Sequence, residues 1–252
     1  MKFKSHRDLD IPHGNTIIWR YMGLDKFLDL LTHRRIFFTN AINLTDEYEI
    51  SLPTDFIEKK RCQLINDGFS GRDLEEELFQ FQYYHSPMRD LTLVNCWSIG
   101  RVESYALWKI YLGGSKAGVA VRTNLSSLKK ALLETNKDLD EEVFVSKINY
   151  SNYLKEQDLS RFKLIITKRE FYKYEDELRL FILEYPRSEG GKKRNFDFSS
   201  GMYVNIDIGL LTDEIYLSPF VGPWFKESII KIIEKIAPDL NAKIVSSSIR
   251  DQ

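Results

Sequence analysis

The chain has 252 residues, 43% of them hydrophobic and 29% charged, which suits one sizeable core or at most two small ones. Its 36 Lys and Arg nearly cancel its 37 Asp and Glu, which argues against a globally basic nucleic-acid binder and leaves room only for local patches. Two cysteines, Cys62 and Cys96, and scattered histidines form neither a disulfide scaffold nor a zinc signature. With no membrane-length apolar run and no apolar stretch behind the basic N-terminal residues, a cytoplasmic protein without a membrane partner is expected.

In chain order, TIIWRY (16–21) predicts a strand. Gly23 then gives a tight turn into a helix whose Leu24, Phe27, Leu28 and Leu31 share one face. RIFFTN (35–40) predicts a short aromatic strand, followed by an acidic loop at 43–49. Two helices follow, one from about Pro53 to Gly68 and one over 73–84 with Leu74, Leu78 and Phe81 on one side. LTLVNCWS (91–98) reads as an apolar, β-branched strand, and 103–114 as a helix stopped by Gly113 and Gly114. The stretch 117–123 predicts another strand, and Asn124 can cap the helix after it.

Beyond that point, strands are expected at 143–150 and 177–184, with a helix over 157–172 between them. A loop with a basic, flexible run at 187–194 leads to strands at 202–208 and 214–219, a helix over 224–236 and a strand at 242–248. There is no repeat and no low-complexity linker, so the expected organisation is one domain over 1–252. About nine strands interleaved with five or six helices place the chain in the α+β class, with a split or sandwiched mixed sheet flanked by helices. The late strand-to-strand stretches are too short for the crossover helices of a doubly wound fold.

Common chemical motifs are absent: no GxGxxG after a strand, no phosphate-binding Walker loop, no GxSxG and no HExxH. A dispersed constellation remains. Arg20 sits in an apolar strand between Trp19 and Tyr21. It either shares a solvent face with Ile18 or points into a cleft, where a guanidinium pairs well with anions. Trp97 and Ser98 end a second strand, and Glu103 and Ser104 open the next helix. Trp97 is either core or an aromatic wall for a flat ring, and Ser104 is either a helix cap or part of the same wall. In KYEDELRLFI (173–182), strand alternation starting at 175 puts Glu175, Glu177, Arg179 and Phe181 on one face and Leu178, Leu180 and Ile182 on the other. That first face is either an exposed ion-pair surface or the lip of a cleft, where a carboxylate stabilises positive charge developing on a sugar carbon.

The order WRYMGLDKFLDLL, RIFFTNA, LTDEYE, VNCWS, ESYALWKIY, GVAVRT, YEDELRL, EIYLSP and VSSS resembles the bacterial domain-of-unknown-function 2971 family over about 17–248. The chain also resembles phage abortive-infection proteins. That likeness implies a defence effector or toxin, with an antitoxin or defence-system partner. More distantly the layout is similar to ADP-ribosyltransferases of the DarT type, which implies that fold and NAD as the substrate. By that resemblance Arg20, with Tyr21, would hold the NAD phosphate or ribose, and Trp97 or Tyr105, beside Ser98 and Ser104, would contact nicotinamide. Glu177 would stabilise the oxocarbenium ion, and Glu175 would orient or deprotonate a nucleic-acid or protein acceptor. The sequence lacks a Ser-Thr-Ser strand motif, and Tyr-Met follows Arg20 where a smaller residue would open space for NAD.

Two other readings stand beside this one. In the first, a non-catalytic binding or sensing module uses these acids and Arg20 as a structural ion-pair cluster. In the second, a nuclease holds Mg²⁺ with Asp46, Glu47, Glu49 and Glu177. No metal site is expected on the leading reading. The basic run at 187–194 is either a solvated hairpin tip or a set of phosphate contacts.

Overall fold

The computed structural model describes residues 1–151, 159–184 and 197–249. The basic run at 187–194 lies outside the described residues, as do residues 157 and 158 at the start of one predicted helix.

The chain is mixed α and β, built on a large mixed sheet flanked by helices. The central strands are β2 (Ile17–Gly23), β4 (Thr92–Ile99), β5 (Gly118–Asn124) and β9 (Glu177–Leu183). The sheet runs β1 (Lys2–Phe3), β6 (Glu142–Lys147), β9, β4, β2, β5, β11 (Glu214–Leu217), β12 (Ile244–Ser246). Pairing is parallel at β1–β6 and β11–β12 and antiparallel along the rest of this path.

At β4 the sheet forks. One edge of β4 pairs with β9 from Thr92↔Leu183 to Ser98↔Glu177. The other edge is shared. β2 takes only Ser98 and Ile99, and β3 (Arg35–Asn40), which continues to β10 (Met202–Asn205), takes only Leu93 and Val94. Between these two pairings, residues 95–97 of β4 have no paired strand on that edge.

Strand alternation sorts the side chains. Leu93, Trp97, Leu178, Leu180, Ile182, Ile18, Met22 and Val121 point into the main core. That core is closed by α1 (Leu24–His33), α5 (Leu125–Thr135) and α8 (Pro223–Ile236), through residues such as Phe27, Leu128 and Ile229. The apolar spacing in each helix supplies one buried stripe; in α1 it is Phe27, Leu30 and Leu31, while Leu24 and Leu28 of the predicted face are half-buried. The opposite face of the sheet carries two separate apolar clusters. One gathers Val94, Phe144, Phe181 and Leu183 under α6 (Arg161–Ile166) and Phe56 of α2 (Thr54–Asn66). The other gathers Trp19, Tyr21 and Ala120 under Leu107, Trp108 and Leu112 of α4 (Tyr105–Leu112).

Helix α4 starts on a polar clasp. Ser104 caps it by accepting from the Leu107 N–H. The carboxylate of Glu103 accepts hydrogen bonds from Trp108 Nε1 (2.9 Å), Ser247 Oγ (2.8 Å), Ser248 N (2.6 Å) and Ser248 Oγ (3.0 Å).

Two expectations are corrected. The predicted helix over 157–172 is only α6 in its described part. The chain then turns extended at β8 (Thr167–Lys168), which pairs with β7 (Asn149–Tyr150), and a 3₁₀ turn follows at Glu170–Glu175. The β-branched run Ile165, Ile166, Thr167 favours that switch. The predicted strand at 143–150 is two pieces: Ile148 N–H still bonds the Glu177 carbonyl (2.9 Å) in register with the β6–β9 pairing, and Asn149–Tyr150 then pair with β8.

Candidate functional site

The acidic stretch before β9 does not begin as a strand. Asp176 takes a left-handed conformation (φ 40°) that ends the 3₁₀ turn, so β9 starts at Glu177. The alternation argument for Glu175 therefore fails. The two carboxylates nevertheless meet, because a lysine gathers them. Lys168 Nζ lies 2.6 Å from Glu175 Oε2, 3.5 Å from Glu177 Oε2 and 3.4 Å from Glu49 Oε2.

Arg179 completes the cluster and is 0% exposed. Its Nε donates to Glu177 Oε1 (2.7 Å) and its Nη2 to Glu177 Oε2 (3.0 Å), a two-point clamp. The same Nη2 donates to Glu49, and Nη1 donates to the Ile165 carbonyl (2.8 Å). The expected alternative of an exposed Glu177–Arg179 pair is thus corrected, since both lie at the seam between the two apolar clusters. The backbone N–H of Glu177 donates to the Tyr150 hydroxyl (2.8 Å).

Three acids, Glu49, Glu175 and Glu177, face two cations, Lys168 and Arg179, so the cluster carries one surplus negative charge when all are ionised. The surplus falls on Glu175, the most exposed of the three carboxylates. Burial pushes the Glu175 carboxyl up. Lys168 offsets part of that, while Glu177 and Glu49 add to it. Burial would raise Glu177 as well, but Arg179 and Lys168 outweigh it and bring that carboxyl down to about 2. Two neighbouring carboxylates are thereby shifted in opposite directions, Glu177 down and Glu175 up.

On the same sheet face as Glu177, Cys96 is partly exposed in an otherwise buried stretch of β4, so solvent reaches the sheet here. Burial and the nearby Glu177 push its thiol up. Tyr111 of α4 feels Cys96, Glu177, Glu175 and Arg20, and burial around its hydroxyl raises the phenol.

Arg20 fills the fork. Its Nη1 donates to Asn95 Oδ1 (3.0 Å) and to the Cys96 carbonyl (2.9 Å), a main-chain group with no paired strand beside it. Its Cζ lies 5.6 Å from the centre of the Trp97 ring. Among the described residues Arg20 forms no ion pair, and burial lowers its pKa, with Cys96 and Tyr111 acting in the opposite direction.

The remaining predicted site residues are spread out. Trp97 is 2% exposed and points into the main core, on the face opposite Glu177, with its indole N–H donating to Asn95 Oδ1 (2.8 Å). Ser98 is buried opposite Glu177. Tyr21 is buried under α4, its hydroxyl accepting from the Ser104 N–H (2.7 Å), and its phenol is pushed up to about 12 by burial. Tyr105 lies on the outer side of α4 against the edge of Phe220. The structure thus brings Glu175 and Glu177 together around Lys168, sets Arg20 beside Trp97 on a shared Asn95 acceptor, and leaves Tyr105 apart from both groups.

Lys168, Tyr111, Tyr150 and Asn95 were missed from the sequence. Lys168, an ionisable residue inside LIITKREF, carried a readable signal, while the others look like ordinary core or helix positions.

Of the acids proposed for Mg²⁺, Glu49 and Glu177 do meet, but around two cations, and Asp46 is held elsewhere. Asp46 pairs with Arg169 (2.8 Å), and Lys168 and Arg179 occupy the space between Glu49 and Glu177. Among the described residues no group of three or more His, Cys, Asp and Glu is arranged to hold a metal. Two surface recesses, one at Leu217, Ile230 and Ile244 and one at Phe220, Val221 and Trp224, include none of the cluster residues. Among the described residues no helix is long and apolar enough to cross a membrane. No protein-family model matches the chain, and no curated protein matches it.

Proposed function

We propose that the protein is an ADP-ribosyltransferase-like enzyme that cleaves NAD at the nicotinamide–ribose bond and passes ADP-ribose to a macromolecular acceptor, acting as a toxin or phage-defence effector. One observation carries the reading. Beside the fork in the sheet, Lys168 gathers two carboxylates at 2.6 and 3.5 Å, Glu177 clamped by Arg179 and lowered, Glu175 more exposed and raised. This is the division of labour that glycosyl transfer uses.

In this scheme Arg20 pairs with the NAD pyrophosphate. The C–N bond breaks with its electron pair leaving on nicotinamide. Ionised Glu177 stabilises the positive charge on the ribose carbon, and Glu175 takes the proton from the acceptor as the new bond to that carbon forms. Trp97, closed into the core, has no part.

The test is incubation of the purified protein with NAD, reading nicotinamide release by chromatography with protein and nucleic-acid acceptors present. Glu175→Gln and Arg20→Ala should each reduce release by at least about a hundredfold. A wild type that neither binds NAD nor releases nicotinamide with any acceptor ends the proposal.

A second reading, a non-catalytic binding or sensing module, draws on the commitment of both Glu177 oxygens to Arg179 and of one to Lys168. It expects Glu175→Gln to leave every cellular phenotype unchanged.

A further inference from the structure

Beside half-buried Glu175 the surface is unusually aromatic. Tyr48 and Phe171 are each 67% exposed and Tyr174 is 51% exposed. They form one patch. Arg169 Cζ stands 4.7 Å from the Tyr48 ring centre, 4.8 Å from that of Phe171 and 5.7 Å from that of Tyr172. Tyr172 in turn neighbours Tyr174 at 6.5 Å, and Lys168 of the buried cluster stands 4.8 Å from its ring centre.

Large exposed rings held in a fixed array around an arginine are the composition of a recognition surface, not of ordinary solvated turns. Their charged surroundings choose the partner. Arg169 is answered by Asp46 at 2.8 Å, so its charge is spent inside the patch. The other exposed charges of segments 46–49 and 169–176 are Glu47, Glu170 and Asp176 against Lys173; Arg89, which donates to the Glu47 carbonyl, offsets Glu47, and half-buried Glu175 of the cluster with its surplus negative charge keeps the balance acidic. A phosphodiester backbone would be repelled here. Lys and Arg side chains would find both carboxylates and open ring faces.

We infer that this patch docks a basic, Arg- and Lys-containing protein segment and holds it beside Glu175. The docking stands without NAD chemistry. That the docked segment is also the acceptor rests on the proposed function.

The experiment is titration calorimetry without NAD, using a short arginine- and lysine-rich peptide, a matched glutamate-rich peptide and a single-stranded oligonucleotide. The basic peptide should bind saturably, with affinity falling as salt rises. The double variant Glu47→Lys/Glu170→Lys should weaken it about tenfold or more, and Phe171→Ala/Tyr174→Ala several-fold. All four positions are exposed, so far-UV dichroism and melting temperature should match wild type in both variants. Absence of saturable basic-peptide binding, binding that both variants leave intact, or tighter binding of the oligonucleotide each overturns the inference. Glu175→Gln, which should abolish nicotinamide release, should leave peptide binding in place, so the two proposals fail separately.

Discussion

Removing the Glu177 charge leaves buried Arg179 with Glu49 as its remaining carboxylate. Glu177→Gln is therefore expected to cost roughly 3–5 kcal/mol at neutral pH, read as a lower urea midpoint. The folded Glu177 carboxyl titrates at about 2, below its unfolded value. Its stabilisation is thus fully present above the ordinary carboxylate range and is lost as pH falls through about 2, so the gap between wild type and variant should close on acidification. Glu175 has the opposite sign. Its folded pKa is raised, so the stability linked to it is present below the unfolded value and is lost as pH rises through the folded one. Glu175→Gln, which removes the surplus charge, should leave the urea midpoint at neutral pH equal or higher. The identities of Glu175, Glu177 and Arg20 as candidates were legible in the sequence. Their partners were less so: Glu49 and Tyr111 lie at large sequence separations that alternation does not address, and Lys168, seven and nine residues before the two acids, falls in a stretch that reads as helix. Trp97 shows the limit of reading residue type alone, since an aromatic at a strand end fits a ring platform and a core equally well until its face is known.

Most elements followed from local pattern: the stripe of α1, the Ser104 and Asn124 caps, and the left-handed Gly113 that stops α4. The failures lie where tertiary pairing overrides propensity. Thr167 and Lys168 turn extended because Asn149 and Tyr150 offer a ladder, and Asp176 resets the side-chain parity that a continuous strand from 175 would have had. The Asp176 backbone is also a test at this scale. Its N–H bonds the Lys173 carbonyl and its carbonyl accepts from Ile99 N–H, so the left-handed turn is fixed from both sides. Asp176→Gly should raise stability by up to about 1 kcal/mol in thermal or urea melts. Gly118, at the Gly23 end of β5, is the converse case. A Cβ there would meet Leu112 Cδ2 at 2.2 Å and the Met22 carbonyl at 2.7 Å. Gly118→Ala should cost about 1–3 kcal/mol, because the Leu112 side chain can turn aside but the Met22 carbonyl of paired β2 cannot, again read by denaturant midpoint.

Across the whole molecule, β4 is the organising strand, engaged with β9 along one edge and divided between β2 and β3 along the other. Every residue of β9 is buried, and both its edges are paired, whereas β12 pairs with β11 alone among the strands. Amide hydrogen exchange should therefore be slowest at 178–183, opening only with global unfolding, and markedly faster at 244–246. The strand set and the mixed sheet were within reach of the sequence. The fork was not, because it depends on how far two non-adjacent strands extend along one neighbour. The Glu103 clasp carries a consequence at this same scale. The carboxylate that holds Ser247 and Ser248 also receives Trp108, so the last described strand and the helix bearing Tyr111 are tethered at one point. Tension applied at Ser248 would therefore load the first turns of that helix, so the far edge of the sheet and the residues beside the fork are mechanically joined through one carboxylate.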